Sequence, residues 1–324
     1  MQLLLLSADE VRRALPMEAA LRTAEQAFQR MVLGGASVPP RLVLPAGVAG
    51  TTLLMGARAE GLGLAAKTVS VFPGNRDLGL PVVPALVTVL DPETGLPVAL
   101  LEGTSLTALR TGAAAGLSAR LLARPDARIG ALIGCGRQAE TQLAAMLTAC
   151  ALDEVRVFAR TPASVASFCA AQQPAASARL IPAATCREAV EGADVVFAAT
   201  TSAEPVLDGD WLAPGAHLSG VGSFTLEQRE LDARSIARAQ VFIDDLESAL
   251  TEAGELVAAE RDGLTRREDW TPLGAVALGR APGRTHADQL TLFKSVGHAL
   301  QDVTAAAQVV ESARAQGMGR TVEL

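Results

Sequence analysis

The sequence predicts an α/β protein whose second half is a doubly wound parallel sheet, and three observations carry this reading. Short apolar runs at 154–158, 193–199, 217–221 and 240–243 alternate with helix-compatible stretches, the pattern of parallel strands joined by right-handed helical crossovers. A buried-strand run, 127–133, leads straight into Gly134-Cys-Gly136-Arg-Gln-Ala139, a G-x-G-x-x-A turn that opens a helix. Such a turn holds a dinucleotide pyrophosphate. Its first glycine permits the tight bend, its second lets backbone approach the phosphates, and its small third position packs helix on strand. Finally, 324 residues with 49% hydrophobic and 19% charged content leave room for two domains with packed cores.

Along the chain, Ser7-Ala-Asp-Glu10 has capping-box spacing ahead of Val11, Leu15, Ala19, Ala20 and Phe28, so a helix pair is expected to open the first domain. Pro39-Pro40 ends it. Segments 41–44, 51–55 and 64–71 read as strands, and Pro73-Gly-Asn75 as a turn. Segments 84–90 and 96–101 flank Asp91-Pro-Glu-Thr-Gly95, which has the chemistry of a hairpin loop. From Thr104 to Leu122 small and apolar residues take helical spacing, and Arg124-Pro125-Asp126 closes that helix. The domain boundary is therefore placed after 122, with 123–298 as the dinucleotide-binding domain. Ala171 to Ala178 reads as a surface loop. Leu292 to Gly317 reads as a long Ala-rich helix that folds back toward the first domain, so that 299–324 completes it.

A net charge of -7 and a pI near 5.2 argue against nucleic acid or a membrane surface as partner, because phosphate recognition needs a basic face. Leu3 to Leu6 are apolar, but Asp9, Glu10, Arg12 and Arg13 follow at once, which predicts neither signal peptide nor membrane span and a cytoplasmic protein. Cys135, Cys150, Cys169 and Cys186 form no C-x-x-C pair, and His217, His286 and His298 are far apart, so no metal site is expected. Cys135 reads as a small residue filling the glycine turn rather than a reactive thiol. The second strand of the dinucleotide domain ends Val157-Phe158-Ala159-Arg160. NAD sites carry an acid where Ala159 stands, whereas Arg160 offers a planar fork to a 2′-phosphate, so NADP(H) is favoured over NAD(H). Thr200, Val221 and Gly222 lie in strand-end segments suited to a ribose and nicotinamide edge.

Several motifs lie outside the glycine turn: Arg41 before the Leu-Leu-Met55 strand, Lys67-Thr-Val-Ser-Val-Phe-Pro-Gly-Asn75, Glu102-Gly-Thr-Ser-Leu-Thr-Ala-Leu-Arg110-Thr-Gly, Pro214-Gly-Ala-His-Leu-Ser-Gly-Val-Gly222, Arg229-Glu-Leu231 and Phe293-Lys-Ser-Val-Gly297. Together with the turn they make the sequence resemble the ornithine cyclodeaminase/mu-crystallin family over nearly its whole length. The resemblance implies a Rossmann-type doubly wound parallel sheet plus a discontinuous α+β substrate-binding and dimerisation domain, and a homodimer. It implies that Arg41, Lys67 and Arg110 surround the carboxylate of a small amino or imino acid. It also implies that Thr111, Arg137, Gln138 and Val296 join Gly134, Gly136, Arg160, Thr200, Val221 and Gly222 around the cofactor. Physical chemistry makes the weaker statement that Arg, Lys and Arg in apolar contexts must be paired, either with an anionic ligand or with Glu60, Glu102 or another internal acid.

The chain departs from the cyclodeaminases of that family at two acids near their substrate, which fall here on Leu53 and Phe224. Closing a ring with loss of ammonia uses those carboxylates for proton and ammonium handling. The resemblance then points to the reductase branch, acting on Δ1-pyrroline-2-carboxylate or Δ1-piperideine-2-carboxylate to give L-proline or L-pipecolate. Arg41 and Arg110 would hold the carboxylate, Lys67 and Arg110 form the catalytic pair, with Lys67 relaying the imine proton, and Leu53 with Phe224 line the ring pocket. Three alternatives stay open. One is ornithine cyclodeaminase itself, taking L-ornithine to L-proline and ammonia with Glu60 or Asp77 as substitute acid; the others are an alanine-type amino-acid dehydrogenase and an NADPH-retaining binding protein of mu-crystallin type.

Overall fold

In the computed structural model, which describes residues 2–324 apart from the side chain of Arg76, the chain forms two units. One runs to Arg110 and resumes at His298–Leu324; the other is Thr111–Gly297. The elements in order are β1 (Gln2–Leu6), α1 (Ala8–Ala14), α2 (Met17–Leu33), β2 (Ala36–Ser37), β3 (Leu42–Pro45), β4 (Thr51–Ala59), β5 (Gly63–Val71), β6 (Ala85–Leu90), β7 (Pro97–Glu102) and α3 (Gly103–Leu122). Next come β8 (Ile129–Ile133), α4 (Ala139–Ala149), β9 (Glu154–Phe158), α5 (Pro162–Gln172), β10 (Arg179–Pro182), α6 (Cys186–Val190), β11 (Val195–Ala198), β12 (His217–Gly220), α7 (Ala233–Arg238) and β13 (Ala239–Ile243). The chain ends with α8 (Leu246–Glu252), α9 (Gly254–Arg261), β14 (Thr271–Pro272), α10 (Leu273–Ala277), β15 (Leu290–Lys294), α11 (Ala299–Ala315) and β16 (Arg320–Glu323).

The first unit is a single sheet in the order β16-β1-β7-β6-β5-β4-β2, with β3 also paired to β4. All pairings are antiparallel except β1 with β7. Strand alternation decides its two faces. Met55, Ala57, Ala65, Lys67, Val69, Val87, Val89, Ala99 and Leu101 are buried, and α11 packs on β4 and β5. On the other face one register row runs Leu42, Leu54, Thr68, Leu86, and its three leucines are 56%, 37% and 46% exposed.

The expected capping box forms, with the Glu10 carboxylate accepting from the Ser7 amide and hydroxyl. The hairpin loop forms as well, Asp91 accepting from the amides of Glu93 and Thr94. Two edges differ from the sequence expectation. The run Leu3 to Leu6 is strand β1, which pairs with β7 on one side and β16 on the other. Residues 292–294, expected as helix, belong instead to β15. Flanked by β12 and β13 and wholly buried, the Leu-Thr-Leu-Phe-Lys run satisfies its backbone in the sheet. Gly297, at φ +81°, then turns the chain and α11 begins only at Ala299.

The second unit is an all-parallel sheet in the order β10-β9-β8-β11-β12-β15-β13-β14. Apolar residues alternate between two cores. Leu132, Val155, Val157, Val195 and Phe197 pack with Ala115, Ala119, Leu143 and Met146, while Ala131, Ile133, Val196, Ala198, Leu218 and Ile243 pack with Ala189, Ile236 and Leu256. Both faces are thus covered, the condition for a doubly wound fold. Strand order reverses between β8 and β11, and crevices at such switch points bind ligands. The two units divide within α3, after Arg110, whereas the sequence reading assigned that helix whole to the first domain. Among the described residues no helix is long and apolar enough to cross a membrane, and no group of three His, Cys, Asp or Glu could hold a metal ion.

Candidate functional site

At the switch point the turn after β8 has the form that an anion site needs. Gly134 sits at φ +114°, and a Cβ there would lie 2.6 Å from the Ala199 carbonyl oxygen, so only glycine fits. A Cβ on Gly136, by contrast, would meet nothing within 4 Å, so its missing side chain leaves open space above the turn. Ala139 is fully buried. No side chain caps the N-terminus of α4 at Gln138; the Ala139 amide donates to the Gly136 carbonyl at 3.0 Å, and the positive end of the helix dipole lies at the turn. Arg137 on the turn is exposed, as is Arg160 just past the neighbouring β9. Cys135 is half-buried; burial, with a smaller contribution from Cys169, pushes its thiol up to about 11, which fits a space-filling residue rather than a nucleophile.

Beyond β11 and β12 the strand-end loops are tied together by one buried carboxylate. Glu230 Oε1 accepts from the Thr200 amide at 2.5 Å, and Oε2 from the Gly222 amide at 2.7 Å. Burial raises the pKa of Glu230 against the opposing effects of Lys294 and these amides. Gly222 has no room for a Cβ between Thr200 and Glu230. A second buried group underlies the next residues: Lys294 Nζ donates to the Ser223 hydroxyl and carbonyl, and pairs with Glu255 at 3.1 Å. Phe224 is partly buried against the unit's core, and Val221 against the opposite one. Thr111 is buried on α3, and the buried Val296 donates its amide to Asp244.

The first unit carries a cluster of different character. Lys67 on β5 is 3% exposed, and its Nζ lies 2.6 Å from Asp302 Oδ2 on α11. Arg110, 8% exposed, donates from Nε to Asp302 Oδ1 at 3.1 Å and from Nη1 to Gln301 Oε1 at 3.1 Å. Two buried cations thus share one carboxylate. Burial lowers the Lys67 pKa to about 8, with Asp302 opposing and Arg110 and Arg41 reinforcing the shift. Burial would raise Asp302, but Lys67 and Arg110 outweigh it and hold the carboxyl below its usual range. The pair is therefore charged on both sides at neutral pH. Lys67 and Asp302 border a narrow niche with Met55, Ala65, Val87 and Ala299.

The structure therefore brings Lys67 and Arg110 together on Asp302, and Arg41, half-buried before β3, acts on Lys67 through its charge. Leu53 opposes Val69 in register, next to the Met55–Lys67 pair and on the same face of the sheet. Glu102, Glu60 and Asp77 are not the internal acids of this cluster. Glu102 accepts from the Thr104 and Ser105 amides at the start of α3, while Glu60 and Asp77 are exposed. Sequence reasoning missed Asp302 and Gln301. The available signal was two polar residues in an otherwise apolar helical run, Ala299-Leu-Gln-Asp-Val, since a buried acid must be paired.

The profile of the ornithine cyclodeaminase/mu-crystallin family matches residues 1–317. The chain is 35% identical over 328 residues to an alanine dehydrogenase of Archaeoglobus fulgidus, covering 100% of this chain and 99% of that protein. It is 34% identical over 325 residues to a Δ1-pyrroline-2-carboxylate reductase of Bacillus cereus, covering 99% and 100%. Among solved structures, the Thermococcus litoralis Δ1-pyrroline-2-carboxylate reductase in complex with NADH and L-proline superposes with a TM-score of 0.95 at 34% identity, covering 98% of this chain and 100% of that one.

Replacing Asp302 by Asn keeps the shape of the side chain but leaves Lys67 and Arg110 buried without a counter-charge. Breaking a buried pair in this way costs about 3–5 kcal/mol. Urea unfolding at neutral pH is expected to show that loss; a variant as stable as the parent would mean that the cations find another partner.

Proposed function

We propose, because the chain belongs to the ornithine cyclodeaminase/mu-crystallin family, that it is a nicotinamide-dependent oxidoreductase. Its substrate is a small cyclic ketimine carboxylate, Δ1-pyrroline-2-carboxylate or Δ1-piperideine-2-carboxylate, reduced to L-proline or L-pipecolate. The observation that carries this reading is the shared carboxylate. Lys67 and Arg110 are buried around Asp302 alone, so the trio has one positive charge in excess, which an anionic substrate balances. Arg41 and Arg110 hold the substrate carboxylate, Arg110 through its planar fork. Lys67 orients the ring and delivers the proton to the imine nitrogen, its lowered pKa matching that task. Leu53, on the Lys67 face, and Phe224 supply apolar walls. Asp302 has both oxygens engaged and so does not replace the acids that a cyclodeaminase uses.

The residues present fit a dinucleotide: an uncapped helix start, a glycine whose Cβ position is open, and strand-end amides held by Glu230. When bound, that group supplies the hydride. Gly134, Gly136, Arg137 and Gln138 would hold its pyrophosphate, and Thr111, Thr200, Val221, Gly222 and Val296 its ribose and nicotinamide end. Arg160, exposed at the end of β9, would pair with a 2′-phosphate, so NADP(H) is preferred. An open-chain imine is the second reading, favoured by the 35% identity to an alanine dehydrogenase. The exposed leucine row of the first sheet is assigned to a homodimer contact.

Four measurements check this. In a panel of the two ketimines, pyruvate with ammonia, and L-ornithine, ketimine reduction by NADPH should dominate; ammonia release from ornithine without ketimine reduction would overturn the assignment. Because Lys67 must be protonated, kcat/KM for reduction should fall as pH rises through about 8, oxidation of L-proline should rise over the same interval, and Lys67→Arg should move the limb upward. Thirdly, Arg160→Ala should raise the KM for NADPH about tenfold and leave that for NADH nearly unchanged; equal effects on both cofactors would remove the 2′-phosphate role. Finally, Leu54→Glu should shift the sedimenting species from dimer to monomer, and an unaltered mass would place the interface elsewhere.

A further inference from the structure

Gln301 stands beside the cation cluster with half of its hydrogen-bonding capacity unused. It is 1% exposed. Its Oε1 accepts from Arg110 Nη1 at 3.1 Å and from the His298 amide at 3.4 Å, the latter as part of the capping box that starts α11. Two donors facing one atom fix the amide orientation, because the flipped side chain would set its NH2 group against both of them. Nε2 is thereby committed as a donor, and it is buried without an acceptor. Its charged neighbours cannot help. Arg110 has no acceptor atom, and Asp302, which accepts from Lys67 and Arg110, makes no hydrogen bond with Nε2.

A buried amide NH2 with no acceptor carries an uncompensated desolvation cost, which an apolar residue of the same volume would avoid. The missing partner must be an acceptor, and beside a cluster with excess positive charge it is an anionic one. We propose that Gln301 is a substrate-binding residue whose Nε2 donates to the substrate carboxylate, with Oε1 anchored on Arg110 and the start of α11. This rests on the ketimine-carboxylate reading above and adds to it a neutral donor that favours an acid over its amide. Arg110 and Gln301 then hold each other and the ligand as one unit, so the carboxylate meets a donor surface set before it arrives.

The test uses the enzyme–NADP+ complex and calorimetric binding of two probes, L-proline and L-prolinamide. Gln301→Glu keeps both acceptor contacts, to Arg110 and to the His298 amide, but adds a negative charge as it removes the donors, so it is read beside Gln301→Met, which removes the donors without adding charge. If either variant binds L-proline as the parent does, the proposal is overturned. If Nε2 donates to the carboxylate, L-proline binding weakens roughly tenfold to a hundredfold, the range for a hydrogen bond to a charged group, while L-prolinamide changes far less. KM for the ketimine should rise in parallel, with the smaller change in kcat. Should Gln301→Glu not fold, Gln301→Leu is read in the same way: a lost preference for acid over amide supports the donor, and a preserved one overturns it. Failure of the underlying reading looks different, since the parent enzyme itself would then neither bind L-proline nor reduce a ketimine.

Discussion

One carboxylate holding two buried cations is the interaction around which the first unit is arranged. Neither Lys67 nor Arg110 could be taken out of water alone, and Asp302 could not either. The three come from β5, α3 and α11, segments far apart in sequence, so the register of one sheet, the start of one helix and the docking of another must agree within hydrogen-bond tolerance. Period-two alternation turns Lys67 inward between Ala65 and Val69. Helical spacing sets Asp302 beside Gln301 on a helix buried along most of its length. The electrostatics leave this trio with one positive charge in excess, Lys67 and Arg110 against Asp302.

The second unit meets the same problem, buried polarity that must be matched, with backbone rather than side-chain partners. Glu230 accepts from two strand-end amides and so sets the spacing of the loops after β11 and β12. Glycine at 134 and at 222 is the complement of that spacing, since each stands where a neighbouring backbone leaves no volume for a Cβ. The start of α4 has no side-chain cap, and the positive end of its dipole stands beside Gly136.

Much of this was legible in the residues. The parallel sheet followed from alternating apolar runs and the glycine turn from its spacing, whereas Lys67 and Arg110 were marked out by the family resemblance, their apolar surroundings saying only that each must be paired. What stayed hidden depended on partners distant in sequence. Nothing local marks Leu3 to Leu6 as a strand rather than an apolar tail, because its two neighbours lie about ninety and three hundred residues away. Likewise the Leu-Thr-Leu-Phe-Lys run of β15 is apolar without periodicity, and only its burial between two strands separates it from helix. Asp302 escaped notice for the same reason: its meaning lies in residues 192 and 235 positions away.

The discontinuity of the first unit has a consequence in time. As the chain emerges from the ribosome, the second unit is complete once Gly297 has been made, whereas β1 to β7 must wait for α11 to cover their buried face and for β16 to close the open edge of β1. Until then Lys67 and Arg110 have no Asp302, and a sheet with an apolar face and an unpaired edge is exposed to its neighbours. The segment His298–Leu324 therefore acts as an assembly step as well as a structural element, and the sequence separation that hides Asp302 from inspection also delays it in synthesis.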